Sequence, residues 1–311
     1  MKVVALAGGV GAGKFLRGLV RAVTPADVTA IVNTGDDVWI DGLRVCPDLD
    51  SVTYWLGDAA DRDRGWGRRD ESFRMLEELR RFDPSAAWFG LGDRDLATHL
   101  FRTRLLDGRP LSEVTRRIAD RFGLAMHILP MTDDPVETRV EVVADGRPLD
   151  LHFQEYWVRR GARDEVKAIR FDGAASAVPA PGVLSAIADA DVVLVCPSNP
   201  VVSIGPILAT PGVRDAVASR PVVGISPIVG GRPLAGMADR LMPIVGLEVT
   251  AVGAGRAYAD ILDGWVIDEV DAHLEARARA ELDAAVAVTD TVMTDDRVAE
   301  ALARTALDLV S

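Results

Sequence analysis

The sequence predicts an α/β fold, a Rossmann-like and mostly parallel sheet with helices on both faces and a small antiparallel insertion. Three observations carry that prediction. Short apolar runs alternate with segments of helical spacing along most of the chain. The runs Val3–Ala7 and Val192–Cys196 are apolar at every position, as strands covered on both faces must be. Between about 134 and 172 the rhythm changes to strand-like stretches flanking Asp145-Gly146, a hairpin signal, which marks the insertion. With 311 residues, 49% of them hydrophobic, the chain can bury a large core and is read as a single α/β domain over 1–311.

The first apolar run feeds Gly8-Gly9-Val10-Gly11-Ala12-Gly13-Lys14, which reads as strand, phosphate loop, helix. Backbone N–H groups without side chains in the way, followed by a helix N-terminus, approach an anion closely. Gly8, Gly13 and Lys14 fit the spacing G-x-x-x-x-G-K, but Phe15 stands where a Ser or Thr holds magnesium, so a metal has to be held elsewhere. The dinucleotide spacing G-x-G-x-x-G also lacks its last glycine, because Lys14 occupies that place after Gly9 and Gly11.

A second strand over Val28–Val32 ends in Asn33-Thr34-Gly35-Asp36-Asp37. Trp39–Val45 turns at Asp41-Gly42 and leads into Pro47-Asp48-Leu49-Asp50, where Asp48 is expected to cap the next helix. Asp58–Asp70, dense in Asp, Arg and Gly around Trp66, is too polar for a core and reads as a loop beside a site. Glu71–Phe82 has helical spacing, and Ala86–Leu91 reads as a strand ending in Gly92-Asp93-Arg94-Asp95. Helices follow over Leu96–Leu106 and Leu111–Phe122, then a strand over Met126–Leu129. After the insertion, Val192–Cys196 ends in Pro197-Ser198-Asn199-Pro200, and Pro221–Ile225 ends in Ser226-Pro227-Ile228. The C-terminal third is helix-rich, with short strands expected at Trp265–Ile267 and Ala285–Val288. Strand after strand thus finishes in a small polar turn, at the edge of a parallel sheet where ligands sit.

A formal net charge of -12 argues against a general affinity for nucleic acid or an anionic membrane, while leaving room for a nucleotide at a local site. Cys46 and Cys196 lie in apolar surroundings and read as core thiols, and no signal peptide or membrane span is evident, so a cytoplasmic protein is expected. The aspartates at the strand ends are the informative residues, because hard divalent cations such as magnesium take oxygen ligands. Capping is assigned mainly to Asp48, with a weaker share in the metal, and metal binding to Asp50. Asn33, Ser198 and Asn199 can bond phosphate, ribose or base without charge. None of His99, His127, His152 and His273 has metal-ligand spacing, and no nucleophilic triad stands out. Trp39, Trp55, Trp88 and Trp157 read as core, with Trp66 the exception that can meet a ring.

Taken together, Gly8-Gly9-x-Gly11, Asn33-Thr34-x-Asp36-Asp37, Pro47-Asp48-Leu49-Asp50, Arg64-Gly65-Trp66-Gly67, Leu91-Gly92-Asp93-Arg94-Asp95-x-Ala97-Thr98-His99, Phe153-Gln154-x-x-Trp157, Ser198-Asn199-Pro200, Ser203-Ile204-Gly205-Pro206-Ile207 and Ser226-Pro227-Ile228 resemble the 2-phospho-L-lactate transferases of deazaflavin coenzyme F-420 biosynthesis, in wording closest to their actinobacterial branch. The resemblance implies a magnesium-dependent transfer onto 7,8-didemethyl-8-hydroxy-5-deazariboflavin of a phospholactyl or phosphoenolpyruvyl group from a guanosine diphosphate ester, releasing GMP. It also implies a homodimer, places metal and deazaflavin contacts at Asp50, and suggests a further deazaflavin contact at Gly90. The glycines Gly8, Gly9 and Gly11, with Lys14, Asn33, Ser198 and Asn199, then hold the nucleotide. A non-catalytic nucleotide-sugar-binding regulator is the alternative. On the catalytic reading, Asp50→Asn lowers turnover by orders of magnitude and barely moves the melting temperature.

Overall fold

The computed structural model describes residues Met1–Val310. Its strands are β1 (Val3–Ala7), β2 (Val28–Val32), β3 (Val38–Ile40), β4 (Leu43–Val45), β5 (His127–Pro130), β6 (Glu137–Ala144), β7 (Arg147–His152), β8 (Glu165–Asp172), β9 (Val192–Val195), β10 (Val222–Ile225), β11 (Ile228–Val229), β12 (Arg232–Pro233), β13 (Gly264–Asp268) and β14 (Ala285–Thr289). The helices that shape the site are α1 (Gly9–Ala22), α2 (Pro47–Leu56), α3 (Arg74–Phe82), α4 (Asp93–Leu106) and α5 (Leu111–Arg121).

Seven strands form one parallel sheet in the order β14-β13-β10-β9-β1-β2-β5. The continuous apolar runs are explained by what covers it. On β1, Val4 and Leu6 enter one core with Ile31 and Val193, while Val3, Ala5 and Ala7 enter a second core with Phe15, Leu19 and Leu302 on the opposite face. Both sides of each central strand are therefore dry, and alternation disappears. From β1 the chain winds outward to β2 and β5, then returns to β9 and winds the other way. The reversal falls between β1 and β9, which pair in register from Val3↔Val192 to Leu6↔Val195. Ligands of doubly wound sheets sit in the crevice at such a reversal, beyond the strands' carboxyl ends.

The antiparallel insertion is β7-β6-β8, with Asp145 and Gly146 both at positive φ in the expected hairpin turn. It is tied to the main sheet where the Thr138 N–H donates to the Gly35 carbonyl over 2.6 Å, just past the end of β2. Trp39–Val45 forms the β3–β4 hairpin, and Cys46 and Cys196 are buried free thiols.

Three local expectations fail, each for a physical reason. Ala86–Leu91 is a series of turns rather than a strand: Trp88, Phe89 and Leu91 bury themselves on Ile40 and Val45 of the hairpin, with no strand alongside to pair with. There is no extended phosphate loop either, since α1 begins at Gly9, and Gly11 and Gly13 lie inside its first turns. A Cβ at Gly11 would stand 2.3 Å from the Pro197 carbonyl oxygen and one at Gly13 2.8 Å from Trp55 Cβ, so these glycines let α1 dock on the turn after β9 and on α2. Finally, Trp39 is 58% and Trp157 40% exposed, outside the core in which they were expected.

Candidate functional site

Three strand ends converge at the reversal. After β1, Gly8 is extended and Gly9 takes φ +70°, the left-handed turn that starts α1 and leaves its first N–H groups at the sheet edge. After β9, the buried Ser198 hydroxyl donates to the Gly8 carbonyl over 2.8 Å and lies 3.4 Å from the Gly8 N–H, spanning the crevice between the two halves. The Asn199 side chain caps the following turn through the Val201 N–H, 2.9 Å, and that turn brings the Val202 carbonyl over β2. After β2, Asn33 donates to Val202 O at 3.1 Å and to Asp48 Oδ2 at 2.9 Å, while its own oxygen accepts from the Gly35 N–H at 2.8 Å. Gly8, Asn33, Asp48 and Ser198 therefore form one connected group. Crowding holds it rigid: a Cβ at Gly8 would lie 2.6 Å from Ser203 Cβ and 2.7 Å from Asp48 Oδ2.

Asp48 does not cap α2. Cys46 precedes the helix with no side-chain cap bond, Pro47 is its first residue, and Asp48 and Asp50 both lie in the first turn. The Asp48 carboxylate points instead to Asn33 and the Gly9 N–H. Burial, together with the charge of Asp37, raises it to about 7, against the pull of those two donors. Asp37 is raised to about 6 by burial, opposed by Arg44 at 3.5 Å. Asp36 is pushed well above the usual carboxylate range, first by burial and then by Asp48. Burial is the first cause for all three, and Asp36 Oδ1 and both Asp37 oxygens accept no hydrogen bond. Among the described residues no three His, Cys, Asp or Glu side chains are grouped to hold a metal by themselves.

Asp50 has different company. Arg102 of α4 grips both of its oxygens, with Nη1 at 3.0 Å from Oδ2 and Nη2 closer still on Oδ1; Nη1 also donates to the Arg44 carbonyl at 3.3 Å. Both side chains are buried. His99 joins them, Nδ1 lying 3.6 Å from Asp50 and Nε2 3.3 Å from Asp95, which also accepts from the Tyr54 hydroxyl at 2.5 Å. Burial works against the Asp95 anion, but His99, Tyr54 and Arg102 hold its carboxyl below the usual range. Arg102 is not singled out in the sequence, and His99 is weighed there only as a residue without metal-ligand spacing. Their signal was present: Asp95, His99 and Arg102 recur at i, i+4 and i+7, one face of α4.

Of the remaining candidates, Lys14 sits in the second turn of α1 with its ammonium 5.3 Å from the centre of the Trp55 ring, away from Gly8. Gly90 and Trp66 are brought together: a Cβ on Gly90 would stand 2.8 Å from the edge of the Trp66 indole. A surface cavity of about 520 Å³, lined by Arg220, Pro221 and Asp263, opens where β10 and β13 begin, at the opposite end of the strands.

Residues 3–307 match the family model described as 2-phospho-L-lactate transferase CofD. A phosphoenolpyruvate transferase of Streptomyces griseus is 51% identical over 316 residues, spanning 99% of this chain and 98% of that protein. One from Streptomyces coelicolor is 51% identical over 313 residues with the same coverage. One from Mycobacterium avium is 44% identical over 331 residues, covering 97% of this chain and 98% of its own. Among solved structures, a UPF0052 family protein of Bacillus halodurans superposes with a TM-score of 0.62 at 17% identity, over 98% of each chain, a likeness of fold alone.

Proposed function

This chain belongs to the 2-phospho-L-lactate transferase CofD family, and on that premise we propose that it moves a phosphoenolpyruvyl or 2-phospholactyl group from a guanosine diphosphate ester to 7,8-didemethyl-8-hydroxy-5-deazariboflavin, releasing GMP, in the biosynthesis of coenzyme F-420. The observation that carries the reading is the bridge of Ser198 to Gly8 across the strand reversal, with buried carboxylates directly beside it. A diphosphate seated there meets the N–H groups that open α1 and the hydroxyl and amide groups of Ser198, Asn199 and Asn33. In the reaction, the terminal ribityl oxygen bonds to the outer phosphorus as the bridging P–O bond to GMP breaks. The hydroxyl proton passes to a carboxylate, for which Asp50 is the candidate.

Magnesium fits the residues present, because, beside the Asp48 carboxylate, buried oxygens of Asp36 and Asp37 have no hydrogen-bond donor, and such an ion needs only one or two carboxylates together with water and phosphate oxygens. Asp48 and Asp50 are the residues that would hold it, Asp50 only by exchanging its bonds to Arg102. When bound, the ion supplies positive charge against the anion that builds on the diphosphate. Positioning is the work of the chain itself: Asn33 fixes the Asp48 carboxylate, and Ser198 ties Gly8 across the crevice. The same reading includes a cytoplasmic homodimer. Among the described residues no helix is long and apolar enough to cross a membrane.

The test is to incubate the protein with the deazaflavin, magnesium and the guanylated donors and to follow GMP and the phosphodiester product. Turnover with the enolpyruvyl or the lactyl donor supports the reading. Tight GDP binding without GMP release from any donor would instead point to the non-catalytic regulator.

A further inference from the structure

The loop between α2 and α3 presents a single aromatic at its tip. Trp66 lies between Gly65 at φ +80° and Gly67 at φ +69°, two left-handed positions whose absent Cβ atoms would meet nothing within 4 Å. These glycines therefore serve backbone geometry rather than close packing, and they flank the indole as paired pivots. The base of the loop is firm: the Asp61 N–H donates to the Gly67 carbonyl, the Asp61 carboxylate accepts from the Asp63 and Arg64 N–H groups, and Ala60 bridges to Arg68.

Trp66 is 46% exposed, yet it rests on a built surface. The Arg64 guanidinium lies 4.8 Å from its ring centre, Phe73 meets it at 6.5 Å, and its far edge fills the space over Gly90 that any other residue would occupy. Gly90 adjoins Leu91, which packs on Val45, and Val45 lies three residues before Asp48. The place over Gly90 is thus a flat aromatic seat next to the first turn of α2, now taken by the protein's own ring.

We propose that Trp66 is a specificity-determining residue that occupies this seat in the empty protein and gives it up to a planar fused heteroaromatic ligand, swinging on Gly65 and Gly67. The inference rests on the acceptor reading above, since the deazaflavin is such a ligand. A bulky non-planar molecule cannot take over contacts made to a flat edge, so the exchange selects for ring shape. The closed indole also taxes binding, because only the fraction of molecules with the seat open is competent.

Two kinds of measurement test this. In the first, the deazaflavin is titrated against wild type, Trp66→Phe and Trp66→Ala, using quenching of the ligand's own fluorescence, with GDP affinity as the control. Affinity for the deazaflavin should rise in the order Trp, Phe, Ala, by about tenfold overall if a tenth of the molecules are open, while GDP affinity stays constant. The reverse order, or no change, overturns the proposal by making Trp66 a fixed platform or a bystander. In the second, which needs no ligand, acrylamide quenching of Trp66 is read as the difference between proteins with and without Trp66→Phe, in wild-type and Gly90→Ala backgrounds. The added Cβ, 2.8 Å from the far edge of the ring, should displace the indole and raise its quenching, by at most about twofold for a ring already 46% exposed. Unchanged quenching would show that the seat does not hold the ring, whatever the acceptor. A wild type that binds no deazaflavin but expels its indole in Gly90→Ala would overturn the acceptor reading and leave the displaceable ring standing.

Discussion

Replacing Asp50 by Asn tests the buried pair that joins α2 to α4. From the sequence alone the variant was expected to lose turnover and keep its melting temperature, because Asn replaces Asp well at a helix start. The structure reverses the second half of that expectation. Asp50 is no cap: its carboxylate neutralises Arg102, which is 2% exposed and has no other carboxylate in direct contact. Removing one partner of a buried ion pair typically costs about 3–5 kcal/mol, and Asn keeps one acceptor for the fork, so a loss near the low end, about 3 kcal/mol, is expected. For a chain of this size that is a fall of roughly 4–5 °C in melting temperature. Thermal and urea unfolding of Asp50→Asn, Arg102→Met and the double variant at one pH would measure it. Both singles should be costly, and the double should cost about 1–3 kcal/mol less than their sum, because it leaves no orphaned charge. An Asp50→Asn protein that melts within 1 °C of wild type, or strictly additive costs, would refute the pairing and return Asp50 to a solvated role.

Three further outcomes follow from the same geometry. Because Asp48 and Asp37 are raised to about 7 and about 6 in the folded chain, they hold their protons more tightly there than when unfolded, so their contribution to stability is full below about pH 4 and is lost as pH rises through 6 to 7. In the absence of divalent ions, urea midpoints should fall over that window, and Asp48→Asn should flatten the slope; a slope that the variant leaves unchanged would clear Asp48 of the effect. Ser198→Ala strands the Gly8 carbonyl in a buried place and should cost about 1–2 kcal/mol, with several-fold weaker GDP binding by calorimetry. Gly11→Ala drives a Cβ to 2.3 Å from the Pro197 oxygen, so it should lower the melting temperature by several degrees, seen by circular dichroism, and weaken GDP only as far as the crevice is distorted.

The central strands were legible because their environment leaves a one-dimensional trace: Val192–Val195 is apolar throughout only because both sheet faces are covered. Asn33 and Ser198 were legible as polar residues at strand ends, although their partners Asp48 and Gly8 are set by packing across 15 and 190 positions. What was misread depended on a third element. Trp88, Phe89 and Leu91 have a strand's composition but find a hairpin to cover rather than a sheet edge to join. Arg102 is one arginine among many in this sequence, and only the fold shows that it is buried opposite Asp50. The glycines after β1 suggested a loop, whereas two of them are needed where a helix touches its neighbours.

The reversal between β1 and β9 also sets a timetable. Within this sheet β1 is made before every other strand, yet it lies inside the finished sheet beside the central β9, and one of its two edges pairs only with residues almost 190 positions later. At about 5–20 residues per second, roughly 10–40 s pass between the two strands leaving the synthesis machinery. During that interval Val3–Ala7 can pair with β2 but carries an open, wholly apolar edge, the kind of surface on which nascent chains associate wrongly. Gly8 likewise waits for Ser198, so a ribosome stalled anywhere before residue 198 carries half a crevice with its most aggregation-prone strand uncovered. Late closure of the sheet is built into this strand order.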